Sequence, residues 1–172
     1  MKSISNGLPP FPGAYGIHFK LKNDHSIQIG QLGRNFFLAG EYIYLGSAKG
    51  PGGIRARVGR HLSSTSNSKK HWHLDYLRDF IIPIFIYTYH WDIRNNPSIP
   101  VECAWSQALL SLPSAYTPMA KFGSSDCRYS CPSHLIAFSN PIPSSRYLSK
   151  VFQQSLVQIF EKPVERIGLI QV

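Results

Sequence analysis

The stretch EYIYLGSAKGPGGIRARVGRHL, residues 41–62, decides how this chain is read. A strand-like run ends in Tyr44-Leu45-Gly46, a glycine-rich turn follows, and Arg55, Arg57, Arg60 and His61 come next with no acidic residue among them. On a helix Arg57 stands one turn before both Arg60 and His61, so the three share a face. Glycines at a loop-to-helix junction let backbone approach a phosphate. Arginine offers a planar fork of donors for phosphate oxygens, and histidine moves protons near neutral pH. Tyr44, at the end of the strand, is placed to face the same pocket. The set suits attack on a phosphodiester, in which charge builds on the phosphate and a proton leaves a water.

The charge of the whole chain points the same way. Over 172 residues, 18 Lys and Arg oppose 9 Asp and Glu, a net charge of +9, so a polyanionic partner is expected. Between Glu41 and Asp75 there is no carboxylate, while Lys49, Arg55, Arg57, Arg60, Lys69 and Lys70 fall in that window with His61, His71 and His73. Such runs are commonly just solvated basic faces. The phosphate chemistry of the motif favours nucleic acid here. A hydrophobic content of 43% argues for a packed core. The apolar run FIIPIFIYTY at 80–89 is too short to cross a bilayer and carries a proline. The N-terminus has no apolar segment of signal-peptide length, and three cysteines make no secreted disulfide framework. A cytoplasmic protein without membrane contact is expected.

The pattern of residues predicts an α/β (α+β) chain with a small, largely antiparallel sheet flanked by helices. Strands are expected at 13–21, 41–46 and 82–91, with 26–32 as the hairpin partner of the first. Helices are expected at 54–62, at 71–80, from Pro100 to near Pro113, and at 146–162. The segment NPIPSSR, 140–146, reads as a linker. Residues 1–140 therefore form the main domain and 141–172 a C-terminal extension packed on or beside it.

A metal ligand is sought among the nine carboxylates. Glu102 sits in the first turn of a strongly patterned helix, where the helix dipole favours an anion; the residue is equally at home there as a plain stabiliser of the helix. Two other clusters stand out. HWHLD supplies His71, His73 and Asp75, read either as a polar helix start or as nucleic-acid contacts and supporting groups. DCRYSCPSH supplies Asp126, Cys127, Cys131 and His134. Zinc wants four ligands at short spacing. Only three good ones lie in that stretch and no second CxxC adds a fourth, so zinc is not expected. Ser125, Asp126 and His134 are further candidates for the main pocket.

These residues reach a known family. GAY at 13–15, YLG at 44–46, GSAK at 46–49 and the arginine-plus-RH run at 57–61 resemble the GIY-YIG nuclease superfamily. More narrowly, AGEYIYLGSA, RHL, HWHLDYL, ECAWSQAL and FGSSDC…CPSHL resemble a branch of unassigned function, some members of which are joined to endonuclease III-type DNA glycosylases. The resemblance covers roughly residues 13–138. It implies a central three-stranded antiparallel sheet and a metal-dependent endonuclease that cleaves DNA, in repair or processing, with one divalent ion, Mg or Mn. Carried onto this sequence, it makes Tyr15 and Tyr44 the signature tyrosines, Arg57 and His61 catalytic, and Glu102 the metal ligand. Lys49, Arg55, Arg60, Lys69, Lys70, His71 and His73 would contact the nucleic acid, DNA in preference to RNA. The GPGG insertion before the arginines leaves Arg55 competing with Arg57. Tyr44 is expected to orient or deprotonate the attacking water, with neighbouring cations stabilising its anion. The alternative function is a non-catalytic nucleic-acid-binding module or an accessory partner of a repair enzyme.

Overall fold

The computed structural model describes residues 7–63, 69–91, 97–161 and 167–172; parts of the polar loop at 63–70 and of the segment after 161 lie outside them. Strand β1 (Gly13–Leu21) is the middle of the molecule. Eight of its nine residues are buried, because a neighbouring strand lies on each edge and a layer of the protein on each face. One neighbour is β4 (Gly40–Ala48), the other β5 (Ile81–His90), both antiparallel. Outside β4 lie β7 (Leu135–Phe138) and the two-residue β6 (Ala115–Tyr116); outside β5 lies β8 (Gly168–Gln171). The sheet is thus six-stranded in the order β6-β7-β4-β1-β5-β8. The expected α+β class holds, with the three central strands extended on both sides.

The expected hairpin between 13–21 and 26–32 does not form. Residues 25–28 (β2) pair instead with β3 (Arg34–Phe37) in a separate two-stranded ribbon. Both edges of β1 are taken by longer, more apolar strands, and Gly30 and Gly33, at φ of 47° and 92°, turn the chain before the run can lengthen. The expected helix at 71–80 is also replaced, by a single 3-10 turn at His73–Tyr76. Leu74 and Leu77 are both fully buried, and their spacing of three suits a 3-10 turn. Asp75 closes that turn by accepting the backbone N–H groups of His71 and Trp72.

Among the described residues, three α-helices cover the sheet. Helix α1 (Gly53–Leu62) lies on one face, and α2 (Val101–Leu110) with α3 (Ser145–Phe160) on the other. Period-two alternation divides the strands accordingly. Tyr15, Ile17, Phe19, Tyr42 and Tyr44 join Ile54 and Val58 of α1 in one core. Ala14, Ile43, Leu45 and Tyr87 join Trp105 of α2 and Phe152 of α3 in the other. In α3 the buried positions Leu148, Val151, Phe152, Ser155, Leu156 and Ile159 follow the helical repeat, and Ser144 caps its start by accepting the N–H of Tyr147 at 3.2 Å. Residues 141–172 thus supply α3 to that second core and β8 to the sheet edge.

Candidate active site

Antiparallel register sets Tyr15 directly across from Gly46. A Cβ at Gly46 would lie 2.6 Å from Cζ of the Tyr15 ring, nearer than real contacts allow. The glycine that ends Tyr44-Leu45-Gly46 is therefore what lets the Tyr15 ring cross the strand. Tyr44 points to the same face, with its ring centre 6.5 Å from that of Tyr15. Above them α1 carries Arg57 and His61 on one side, as their spacing predicts.

His61 is fully buried. Its Nε2 lies 2.9 Å from the Tyr15 hydroxyl and its Nδ1 3.2 Å from Asp75 Oδ1. Burial alone would raise the Asp75 carboxyl, but hydrogen bonds from His61, from the backbone of His71 and Trp72, and from Arg78 hold it well below the ordinary carboxylate range; Arg78 Nη2 is 2.9 Å away. An ionised Asp75 only accepts, so His61 Nδ1 carries the hydrogen and Nε2 is left to accept the Tyr15 hydroxyl. Burial lowers the His61 pKa more than Asp75 raises it, which keeps the ring neutral. Tyr15, His61 and Asp75 form one continuous hydrogen-bonded chain through the core, and Arg78 is ion-paired to its Asp75 end.

Beside the chain opens a cleft of about 370 Å³ whose walls include Tyr15, Tyr44, Arg57, Glu102 and Asp126. Arg57 is half-buried, with its guanidinium 4.1 Å from the centre of the Trp72 ring, a cation–π contact that fixes its direction. Arg55 is not in the cleft wall; its Nε donates to the Leu8 carbonyl at 2.9 Å. The geometry thus places Arg57 at the cleft, and Arg55 against the N-terminal segment. Arg60 is exposed, 4.2 Å from the same indole. Glu102, half-buried at the start of α2, accepts the Ser47 hydroxyl at 2.8 Å through Oε1.

Several expected groups take other positions. The Tyr44 phenol is pushed up by burial, which outweighs the downward pull of Arg57. The expected cationic stabilisation of its anion is therefore overcome, and the ring instead packs under Gly123, whose Cβ would meet Tyr44 Cε2 at 2.9 Å and whose φ is 74°. His73 is not turned to solvent: its Nδ1 accepts the Gly123 N–H at 2.8 Å, and burial lowers its pKa. His71 is exposed, 4.4 Å from the Trp72 ring. Lys49, Lys69 and Lys70 are exposed, and Lys70 lies 5.0 Å from the Tyr76 ring. Ser125 is exposed and is not among the residues of the cleft wall, whereas Asp126 is.

His134 is buried beside cysteines. Cys127, Cys131 and His134 meet Cys103, the residue after Glu102 on α2, with all four donor atoms within 4.8 Å of one another. These four residues could hold a metal ion. The fourth candidate ligand, whose absence from the local stretch argued against zinc, comes from another element, 24 residues before Cys127. Cys103, Trp72, Ser47 and Arg78 are among the site residues that reading by local spacing did not single out. ECAWSQAL places a cysteine beside the chosen glutamate, but no local pattern ties it to residues 127–134.

Residues 14–157 match the family described as "Domain of unknown function DUF123", and the chain belongs to that family. No curated protein and no solved structure matches it.

Proposed function

We propose that this chain is a metal-dependent endonuclease of GIY-YIG type that hydrolyses DNA phosphodiesters. The observation that carries the reading is the Tyr15–His61–Asp75 chain ending in an open cleft that also presents Arg57. The buried Asp75 fixes the tautomer of His61, whose Nε2 then faces a hydroxyl. A water in the cleft gives its proton to Tyr15 Oη as that hydroxyl passes its own to His61 Nε2, and the water oxygen attacks phosphorus. Asp75 stabilises the imidazolium that forms. Arg57 binds the non-bridging oxygens as their charge grows. The scissile P–O bond breaks, the leaving oxygen takes a proton from solvent, and His61 returns its proton to solvent through the Tyr15 hydroxyl, which restores the neutral pair. The Tyr15 hydroxyl, rather than Tyr44, is the group with a proton acceptor in place.

Glu102 fits a hard divalent ion such as Mg or Mn. It is a half-buried carboxylate in the cleft wall, with Asp126 in the same wall, and such ions bind through one or two carboxylates together with substrate phosphates. Such an ion supplies charge neutralisation at the phosphate and the leaving oxygen. Exposed Lys69, Lys70, His71 and Arg60 supply the sequence-independent attraction for the strand.

The test is incubation of purified protein with labelled single-stranded, duplex and branched DNA and with RNA, in Mg, Mn or chelator. Metal-dependent cleavage of a DNA substrate, lost in Arg57→Ala, is the expected result. Binding without cleavage under every condition would replace this reading with that of a nucleic-acid-binding module.

A further inference from the structure

The cysteine cluster lies beside the proposed chemistry but is of another kind. Cys103 Sγ is 3.5 Å from Cys127 Sγ and 3.7 Å from His134 Nε2. A tetrahedral zinc ion, with Zn–S near 2.3 Å and Zn–N near 2.0 Å, spaces its ligands by about 3.5–3.8 Å. Thiolates and imidazole suit zinc, and are poor donors for Mg or Mn. Cys103, Cys131 and His134 are buried and Cys127 is half-buried, so four protein ligands would close the site. The loop is shaped for this: Ser130, at φ of 55°, turns the chain between Cys127 and Cys131. The backbone N–H of Tyr129 points at Cys127 Sγ at 3.4 Å, the outer contact that steadies a ligating sulfur. A disulfide would use two of the thiols, at a bond length of about 2.05 Å, and leave the third thiol and the histidine without a purpose.

We propose that Cys103, Cys127, Cys131 and His134 bind one zinc ion that pins the loop of residues 121–134 to helix α2 and so fixes one wall of the cleft. Binding releases the thiol protons of the three cysteines to solvent and forms three Zn–S bonds and one Zn–N bond, with no change of oxidation state. The loop sets Gly123 on Tyr44 and puts Asp126 at the cleft, while α2 carries Glu102 one residue before Cys103. A closed four-ligand site holds structure and offers no open position for substrate. This ion is therefore separate from any ion at Glu102, and the proposal stands whether or not the cleft cleaves DNA.

The experiment is metal analysis of the whole chain purified under reducing conditions, then removal of metal by chelator and titration with zinc and with cobalt. One zinc per chain, recovery of thermal stability on adding zinc back, and the absorption of a tetrahedral cobalt thiolate are the expected results. Cys127→Ser should weaken zinc binding by roughly 100-fold or more, since even outer-shell partners are worth 10–100-fold. His134→Cys, which keeps four ligands, should retain one zinc. The cobalt spectrum of the unaltered chain decides the matter if Cys127→Ser does not fold. No uptake of zinc or cobalt by the reduced chain, equal zinc affinity in Cys127→Ser, or a Cys103–Cys127 disulfide in freshly purified protein would overturn the proposal.

Discussion

The two faces of the sheet are built on opposite principles. Under α2 and α3, Ile43, Leu45, Trp105, Leu148 and Phe152 pack with near-zero exposure. Under α1 an aromatic core of similar depth is crossed by the chain Tyr15–His61–Asp75–Arg78. The first face also has polar contacts, His18 with Glu41 at 2.8 Å and the Ser106 hydroxyl donating to the Ser133 carbonyl at 2.7 Å, but these are separate pairs and do not join into a chain. Hydrogen bonds within a buried polar chain offset its desolvation without leaving much surplus, and apolar side chains of equal volume are often as stabilising or more so. The difference teaches where to look for chemistry: the core under α2 and α3 is explained by stability, while the α1 face and the cleft end of α2, with Glu102 and Cys103, hold groups that stability does not call for.

That contrast can be broken by substitution. The largest effect belongs to the core under α2 and α3. Trp105→Ala should lower the free energy of unfolding by about 3–5 kcal/mol, the range for emptying a large aromatic site. The activity of each molecule that remains folded should change little. Urea denaturation beside an active-site titration checks both halves, and a rate loss without a stability loss would erase the distinction between faces.

Next come the cleft residues. Arg57→Ala and Glu102→Ala should each slow cleavage by roughly 10²-fold or more, as when one preorganised charge partner is lost, with circular dichroism and melting close to the parent. Tyr15→Phe should fall in a similar range, about 10²-fold or more, as for a lost proton carrier. Tyr44→Phe should stay within a few-fold. Equal activity of Tyr15→Phe and the parent would exclude the relay, while a dead Tyr44→Phe would return the role of base to that residue.

A smaller effect is expected from pH. Burial holds the pKa of His61 below its ordinary 6.5, so as pH falls through 6.5 the unfolded chain takes up a proton before the folded one does. Stability should therefore decline from about pH 6.5 downward. His18 and His73, also lowered by burial, act in the same sense. Asp75 adds a further loss below the ordinary carboxylate range, because its folded-state pKa is depressed. Urea unfolding from pH 8 to 5 should show the slope, and His61→Gln should reduce it; an unchanged slope in that variant would mean that the ring is not held neutral. The smallest effect is assigned to Arg55→Ala, within about 0.5 kcal/mol in stability, the scale of surface changes, and a few-fold in rate. A dead Arg55→Ala beside an active Arg57→Ala would reverse the assignment of the two arginines.

What the sequence makes legible is whatever is encoded locally. Strands 13–21 and 41–46 and the helices beginning near residues 54, 101 and 146 follow from period and caps, and Arg57 and His61 follow from one helical turn. What was not legible depends on partners distant in the chain. The run 26–32 has strand character, but which edge it meets is decided by competition from β4 and β5. Residues 71–80 have helical spacing, but Asp75 is drawn to His61 and to its own backbone. The fourth member of the cysteine–histidine cluster, Cys103, lies on another element, and no spacing rule connects it to His134.

Trp72 has a consequence of its own. Two guanidinium groups, of Arg57 and Arg60, rest on its single indole at 4.1 and 4.2 Å. A phosphate that draws Arg57 off the ring changes the field felt by that chromophore, while Trp105 is sealed in the opposite core and Trp91, the third tryptophan, stacks on Tyr89. The protein thus carries an optical reporter at the mouth of its cleft. Titration with a non-cleavable oligonucleotide should alter the tryptophan emission, and most of the change should be lost in Trp72→Phe, so that occupancy can be followed with no label attached.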